Sequence, residues 1–263
     1  MQQFKDNYII ADENTNCSII IYSVIGDRDE QQDSAGYEFR ADKALAVVCD
    51  GMGGFNGGKL ASSSSVERIL KWFSETQLFN DISKDLLEEA IDLDAHVRSL
   101  KNERGEWLKA GSTLAAMYIE KDRIVWIAVG DSRIYSAHED KFCQITSDHI
   151  YSQKLKSQLE SGIIKQEEYD EKMIHGEALI SFLGIGGLTM VDCNQVNTVS
   201  GDRFLIMSDG LYKLVPDNEV FEILSNFANV SDALRALDSK AKHYAKSKRI
   251  KRDNMTLALI TVK

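Results

Sequence analysis

The chain has 263 residues, 43% of them hydrophobic, a single proline and a net charge of −10, which is enough for a sizeable core built mainly of regular elements. Acidity of this size works against sequence-independent nucleic-acid binding, which needs many Lys and Arg contacts to phosphates, and no uncharged apolar run approaches the roughly 20 residues that span a bilayer. No apolar h-region follows a basic start, and Cys17, Cys49, Cys143 and Cys193 form no CxxC or His-x-Cys pattern, so a soluble, cytoplasmic protein with free thiols and no membrane partner is expected.

Disorder is expected, if anywhere, only in the polar residues 1–16. Apolar runs predict strands over 17–25, 44–49, 112–119, 124–129, 133–137, 188–196, 204–207 and 255–262. Between 58 and 79, Leu60, Val66, Ile69, Leu70 and Phe73 fall at helical spacing. Leu86, Ala90, Leu93, Val97 and Leu100 repeat the pattern over 82–100, and 217–227 with 231–245 predict another helix pair. Most strands are joined by short turns, which implies antiparallel sheets. Strands grouped together with paired helices fit an α+β protein, two sheets covered on their outer faces by helices. No linker-like stretch interrupts the chain, so residues 1–263 read as one domain. A polar helical segment over 148–162 restarts at 163–169 and stands apart from the strands.

Five short stretches place an aspartate at or near the end of an apolar run: Arg28-Asp29-Glu30-Gln31-Gln32-Asp33, Asp50-Gly51-Met52-Gly53-Gly54, Gly130-Asp131-Ser132-Arg133, Ser208-Asp209-Gly210 and Asp253-Asn254. Any one of them alone is an ordinary turn, because Asp caps its own backbone and Gly accepts positive φ. Together they gather carboxylates at one edge of a sheet. Crowded carboxylates repel and are costly to desolvate, so a hard divalent cation is their natural partner, and a metal-dependent hydrolase is the leading expectation.

The ordered set resembles the metal-dependent Ser/Thr protein phosphatases of the 2C type, in their bacterial stand-alone form. The likeness also takes in Gly111-Ser112-Thr113 and Thr146-Ser147-Asp148-His149 and runs from about residue 19 to 262. It implies an αββα sandwich with the metal site at one end. It further implies hydrolysis of phosphoserine and phosphothreonine on proteins, opposing a Ser/Thr kinase. By the resemblance, Asp50 bridges two Mn²⁺ or Mg²⁺ ions, Asp209 and Asp253 complete the first, the Gly51 carbonyl serves the second, and Asp33 orients a bound water. Such a pair of ions can lower the pKa of a shared water from 15.7 towards ~7. Asp131 matches a weaker third metal position, against the plainer reading of a turn cap. Residues 148–183 match a flap beside the active site, against that of an ordinary surface helix pair.

Arg28 is the candidate phosphate clamp, since its planar fork donates two parallel hydrogen bonds; a salt bridge to Asp29, Glu30 or Asp33 is the alternative. The basic residues Lys246, Lys248, Arg249, Lys251 and Arg252 read as a solvated helix end or as an attractor for an anionic phosphopeptide. Three positions depart from the family pattern. Gln32 replaces a metal-serving Glu of eukaryotic relatives, Met52 replaces a His proposed there as general acid, and Ser181-Phe182 stands where relatives carry an Arg before Leu183-Gly184. His149 reads as structural. Two rival functions keep the fold: a pseudophosphatase that senses phosphoproteins without turnover, and a hydrolase of small phosphoesters, which needs an enclosed pocket.

Overall fold

The computed structural model describes residues 7–54, 56–138, 141–227 and 229–263. In chain order it contains β1 (Asn7–Glu13), β2 (Cys17–Val24), β3 (Asp33–Arg40), β4 (Lys43–Gly53), α1 (Gly57–Glu75), α2 (Ile82–Arg98), β5 (Ala110–Ser112), β6 (Leu114–Glu120), β7 (Arg123–Val129), β8 (Arg133–His138) and β9 (Lys141–Gln144). Then follow α3 (Tyr151–Glu160), α4 (Gln166–Lys172), β10 (Asp192–Asn197), β11 (Arg203–Met207), α5 (Asp209–Tyr212), α6 (Asp217–Asn226), α7 (Val230–Lys248) and β12 (Met255–Val262).

One sheet runs β1-β2-β12-β11-β8-β9 and the other β10-β7-β6-β4-β3, with β5 added to the end of β4; every named strand pair is antiparallel. Three apolar layers hold the stack together. Ile19, Ile21, Val48, Met117, Ile206 and Ile260 meet between the sheets. Leu45, Val47, Leu114 and Val125 face Ile69, Phe73, Leu86 and Leu93 of α1 and α2. Leu205, Leu257 and Leu259 face Val220, Leu224, Leu234 and Leu237 of α6 and α7. Successive strand residues thus serve opposite layers, and both faces of each central strand are buried. This is the expected αββα sandwich.

Four local differences from the sequence reading have physical causes. Residues 7–13 were grouped with the polar start, yet they form β1 on β2, because Tyr8 and Ile10 share one strand face and reach the inter-sheet layer. β3 escapes pattern reading because Asp33, Ser34, Gly36 and Glu38 are weak strand formers. There Gly36 is packed so closely that a Cβ would sit 2.6 Å from Leu70 Cδ1. β9 is a short edge strand, and β10 starts at Asp192 rather than 188. None of the four cysteines is paired, but only Cys17 and Cys49 are buried; Cys143 is exposed and Cys193 half-buried.

The registers explain why one end of the sandwich collects the aspartates. Asp33 pairs with Asp50, Leu114 with Val129, and Met255 with Val24, while Met207 lies opposite Leu257. The ends of β2, β4, β7 and β11 and the starts of β3, β6 and β12 therefore lie together.

Candidate active site

Asp50 sits inside β4, not in a turn after it, because β4 runs on to Gly53 by pairing with β5. Its backbone is fixed on both sides: Asp50 N donates to Thr113 Oγ1 (2.8 Å), and Asp50 O accepts from Thr113 N (2.8 Å) and Ser112 Oγ (3.2 Å). Gly51 next to it has no room for a side chain. A Cβ there would stand 2.1 Å from the Gly58 carbonyl oxygen and 2.6 Å from that of Gln32.

Asp209 opens α5 directly after Ser208, whose Oγ donates to Asp33 Oδ2 (2.7 Å) and accepts from Thr256 N (2.9 Å). Asp253 precedes β12 and is followed by Asn254, which joins three segments: its Nδ2 donates to Ile25 O (2.8 Å) and Glu30 O (3.0 Å), and its Oδ1 accepts from Gln32 N (2.8 Å). The sequence marks Ser208 and Asn254 only as neighbours of aspartates, and their tying roles emerge from long-range contacts.

Arg28, Asp50, Gly51, Met52, Asp209 and Asp253 line one cavity of about 440 Å³. Asp33 lies beneath it, buried, with Oδ1 lacking any partner. Asp131 is not among the lining residues and is connected to Asp209 through the Lys213 ammonium. Burial, and after it the negative charges of Asp33, Asp209, Asp131 and Asp253, hold the Asp50 carboxyl far above the usual carboxylate range. Burial likewise pushes Asp33 up to about 7, against the opposing Ser208 and Thr256 hydroxyls and with help from Asp209 and Asp253. Asp131 rises to about 6 through burial and Asp209, with Lys213 and the Tyr212 hydroxyl pulling the other way. All seven singled-out residues, Arg28, Asp33, Asp50, Gly51, Asp131, Asp209 and Asp253, thus lie at one end of the sandwich.

Two cations already engage this acidic rim. Arg28 pairs with Asp253, not with Asp29, Glu30 or Asp33 as the salt-bridge reading supposed. Lys213, which the sequence reading passed over, places Nζ 2.6 Å from Asp209 Oδ2 and 3.9 Å from Asp131 Oδ2. Its i+4 spacing from Asp209 was the available signal. Among the described residues no three His, Cys, Asp or Glu side chains close on one point.

His149 is fully buried beneath the rim, and its Nδ1 accepts from Gly130 N (3.1 Å), which leaves the ring proton on Nε2, facing Asp192 at 3.5 Å. That is a structural role, as its motif suggested. Arg252 of the basic cluster is held by Asp27 and Asp238. Ser181 and Phe182 are also in use: Ser181 Oγ donates to Met190 O (2.7 Å) and the Phe182 ring packs on Gly111.

A rim of carboxylates with an arginine beside it, closing one end of an αββα sandwich, is the arrangement that the resemblance to metal-dependent protein phosphatases implies. The profile of the protein phosphatase 2C family matches residues 22–244, and the chain belongs to that family. It is 29% identical over 244 residues to the serine/threonine phosphatase stp of Listeria innocua, covering 89% of this chain and 90% of that protein. The serine/threonine phosphatase of S. agalactiae superposes with a TM-score of 0.79 at 24% identity, covering 94% of this chain and 100% of that one. The catalytic domain of the serine threonine protein phosphatase PstP, solved in complex with two manganese ions, superposes with a TM-score of 0.73 at 23% identity over 94% of this chain and 98% of its own.

Proposed function

We propose that this protein phosphatase removes phosphate from phosphoserine and phosphothreonine on cytoplasmic proteins, reversing a Ser/Thr kinase, with Mn²⁺ or Mg²⁺ as cofactor. The observation that carries the reading is Asp50, a carboxylate whose backbone is fixed at the sandwich end and whose burial, and after it four neighbouring carboxylates, raise its proton affinity. Such a group needs a cation to stay charged. The donors fit a hard divalent ion, for they are oxygens throughout. The Gly51 carbonyl itself lies against Gly58, where a Cβ would sit 2.8 Å from its oxygen.

Asp50, Asp209, Asp253 and the Gly51 carbonyl would hold the core ions, and Asp131 with Asp209 would offer a further position. Bound ions would supply Lewis acidity and an activated water for attack on phosphorus. The chain's own residues do the rest. Arg28, with its side chain 56% exposed, can turn from Asp253 to clamp two phosphate oxygens. Asp33, anchored by Ser208, keeps one oxygen unpartnered to orient water. Met52 lines the cavity without a transferable proton, so in this reading a bound water, not a side chain, supplies the proton for the departing alkoxide. The whole chain is read as one catalytic domain. Residues 148–183 form its flap, tethered beside Asp131 through His149 N to Gly130 O (2.9 Å) and closed on itself by Tyr151 N to Ala178 O (2.9 Å). No described helix is long and apolar enough to cross a membrane.

The test is turnover of a phosphoserine peptide after chelation and metal replacement. Mn²⁺ or Mg²⁺ should restore activity and Ca²⁺ should not, because Ca²⁺ prefers longer and more numerous oxygen contacts. Asp50→Asn and Asp209→Asn should each retain less than about a tenth of wild-type activity, a loss above ~1.4 kcal/mol. A folded Asp50→Asn protein with full activity would remove Asp50 from the site. A protein that binds phosphopeptide but never turns it over would be the sensing pseudophosphatase instead.

A further inference from the structure

We infer that Lys213 is a tethered cation that holds the position between Asp131 and Asp209, so that a third divalent ion binds there only by displacing it. The inference rests on the metal reading of the core site given above. Its basis is geometric. Lys213 follows the single turn of α5, and its i+4 spacing brings Nζ back over Asp209, 2.6 Å from Oδ2. The same Nζ is 3.9 Å from Asp131 Oδ2, so one ammonium spans the two carboxylates that would otherwise face each other.

The surroundings fix the acceptors and leave the cation movable. Tyr212 OH donates to Asp131 O (3.1 Å) and Asp131 Oδ2 (3.2 Å), and Arg133 stacks on the Tyr212 ring at 3.6 Å. Arg133 is itself held by a two-pronged pair with Asp148, Nε to Oδ1 at 2.9 Å and Nη2 to Oδ2 at 2.7 Å. Asp131 is therefore held in place, and both carboxylates are largely buried, their side chains only 11% and 16% exposed, whereas that of Lys213 is 44% exposed. A four-carbon stem with that much solvent access can swing outward.

An ammonium and a divalent ion do different things in this position. Lys supplies one positive charge and three donors but has no coordination position for water or a phosphate oxygen. A divalent ion supplies two charges and open positions. The resident lysine thus neutralises part of the Asp131–Asp209 repulsion whenever no third ion is bound. A third ion must overcome like-charge repulsion at short range, so it binds weakly and only at high concentration.

The test is Mn²⁺ binding to the full chain, by calorimetry with elemental analysis of bound metal, for wild type, Lys213→Met and Lys213→Arg. Methionine keeps the stem and removes the charge; arginine keeps the charge. Wild type should bind two ions tightly and a third weakly. Lys213→Met should bind the third at least about tenfold more tightly, the direction set by removing a like charge, while Lys213→Arg should stay near wild type. Anomalous scattering from Lys213→Met crystals grown in Mn²⁺ should show the extra ion against Asp131. Equal third-ion affinity in all three proteins would overturn the role of Lys213 and leave the two core ions intact. Tighter third-ion binding in the Arg variant as well would mean that shape, not charge, controls the position, and would overturn it too. A wild-type protein that binds no Mn²⁺ at all would instead overturn the metal reading of the core site.

Discussion

Asp33 and Asp50 stand directly opposite one another across the β3–β4 ladder, on the same face of the sheet. Antiparallel pairing thus presses together two carboxylates that burial already disfavours in their charged form.

Burial of Asp33 sets one pH response of the metal-free protein. The folded-state pKa of Asp33 is raised from 3.8 to about 7, so the unfolded chain loses that proton first. Its contribution to stability is full below 3.8 and is lost as the pH rises through about 7. In chelator, Asp33→Asn should therefore be little different from wild type below pH 3.8 and increasingly more stable than it as the pH rises towards about 7, by several degrees in Tm at about pH 8. Thermal melts across that range check it; a constant difference between the two proteins would mean that Asp33 does not titrate there.

Gly51 and Gly54 give a paired steric test. A Cβ at Gly51 meets the Gly58 carbonyl oxygen at 2.1 Å, whereas one at Gly54 meets nothing within 4 Å. Gly51→Ala should lose several kcal/mol of stability, together with activity, because backbone must move on both sides. Gly54→Ala should melt and turn over like wild type. Urea denaturation of both variants separates them, and equal stabilities would contradict the close approach at Gly51.

Asp94 on α2 accepts three backbone donors, Gly184 N (2.7 Å), Gly186 N (3.1 Å) and Gly187 N (2.7 Å). That loop carries Leu183, which exchanges backbone hydrogen bonds with Ser112, and Ser112 Oγ donates to Asp50 O. Asp94→Ala should cost about 2 kcal/mol or more, as hydrogen bonds to a charged group do, and should raise the Mn²⁺ concentration needed for half activation. Asp94→Asn, which retains an acceptor oxygen, should fall between. A destabilised Ala variant with unchanged metal requirement would confine Asp94 to the fold.

Met52 lines the cavity where a proton donor would serve a departing alkoxide. Met52→His should raise kcat on a phosphoserine peptide more than on p-nitrophenyl phosphate, whose phenolate leaves unaided. A new basic limb should appear in the pH profile as the imidazolium loses its proton. Parallel changes on both substrates without that limb would show that another group already supplies the proton.

The sequence by itself determined the layered architecture and the location of the aspartates. Both are local signals: most buried strands are apolar runs, the helices that cover them carry one apolar stripe, and the aspartates stand at or near the ends of those runs. β1 and β3 were not legible in the same way, because they are strands through their partners and not through their own composition. Tertiary structure alone decided what touches what at the site. That Arg28 rests on Asp253, 225 positions away, and that Ser208 holds Asp33, 175 positions away, follows from strand register. Lys213 falls between the two cases. Its distance to Asp209 is local helical geometry, but its reach towards Asp131 exists only because β7 and β11 end at the same side of the sandwich.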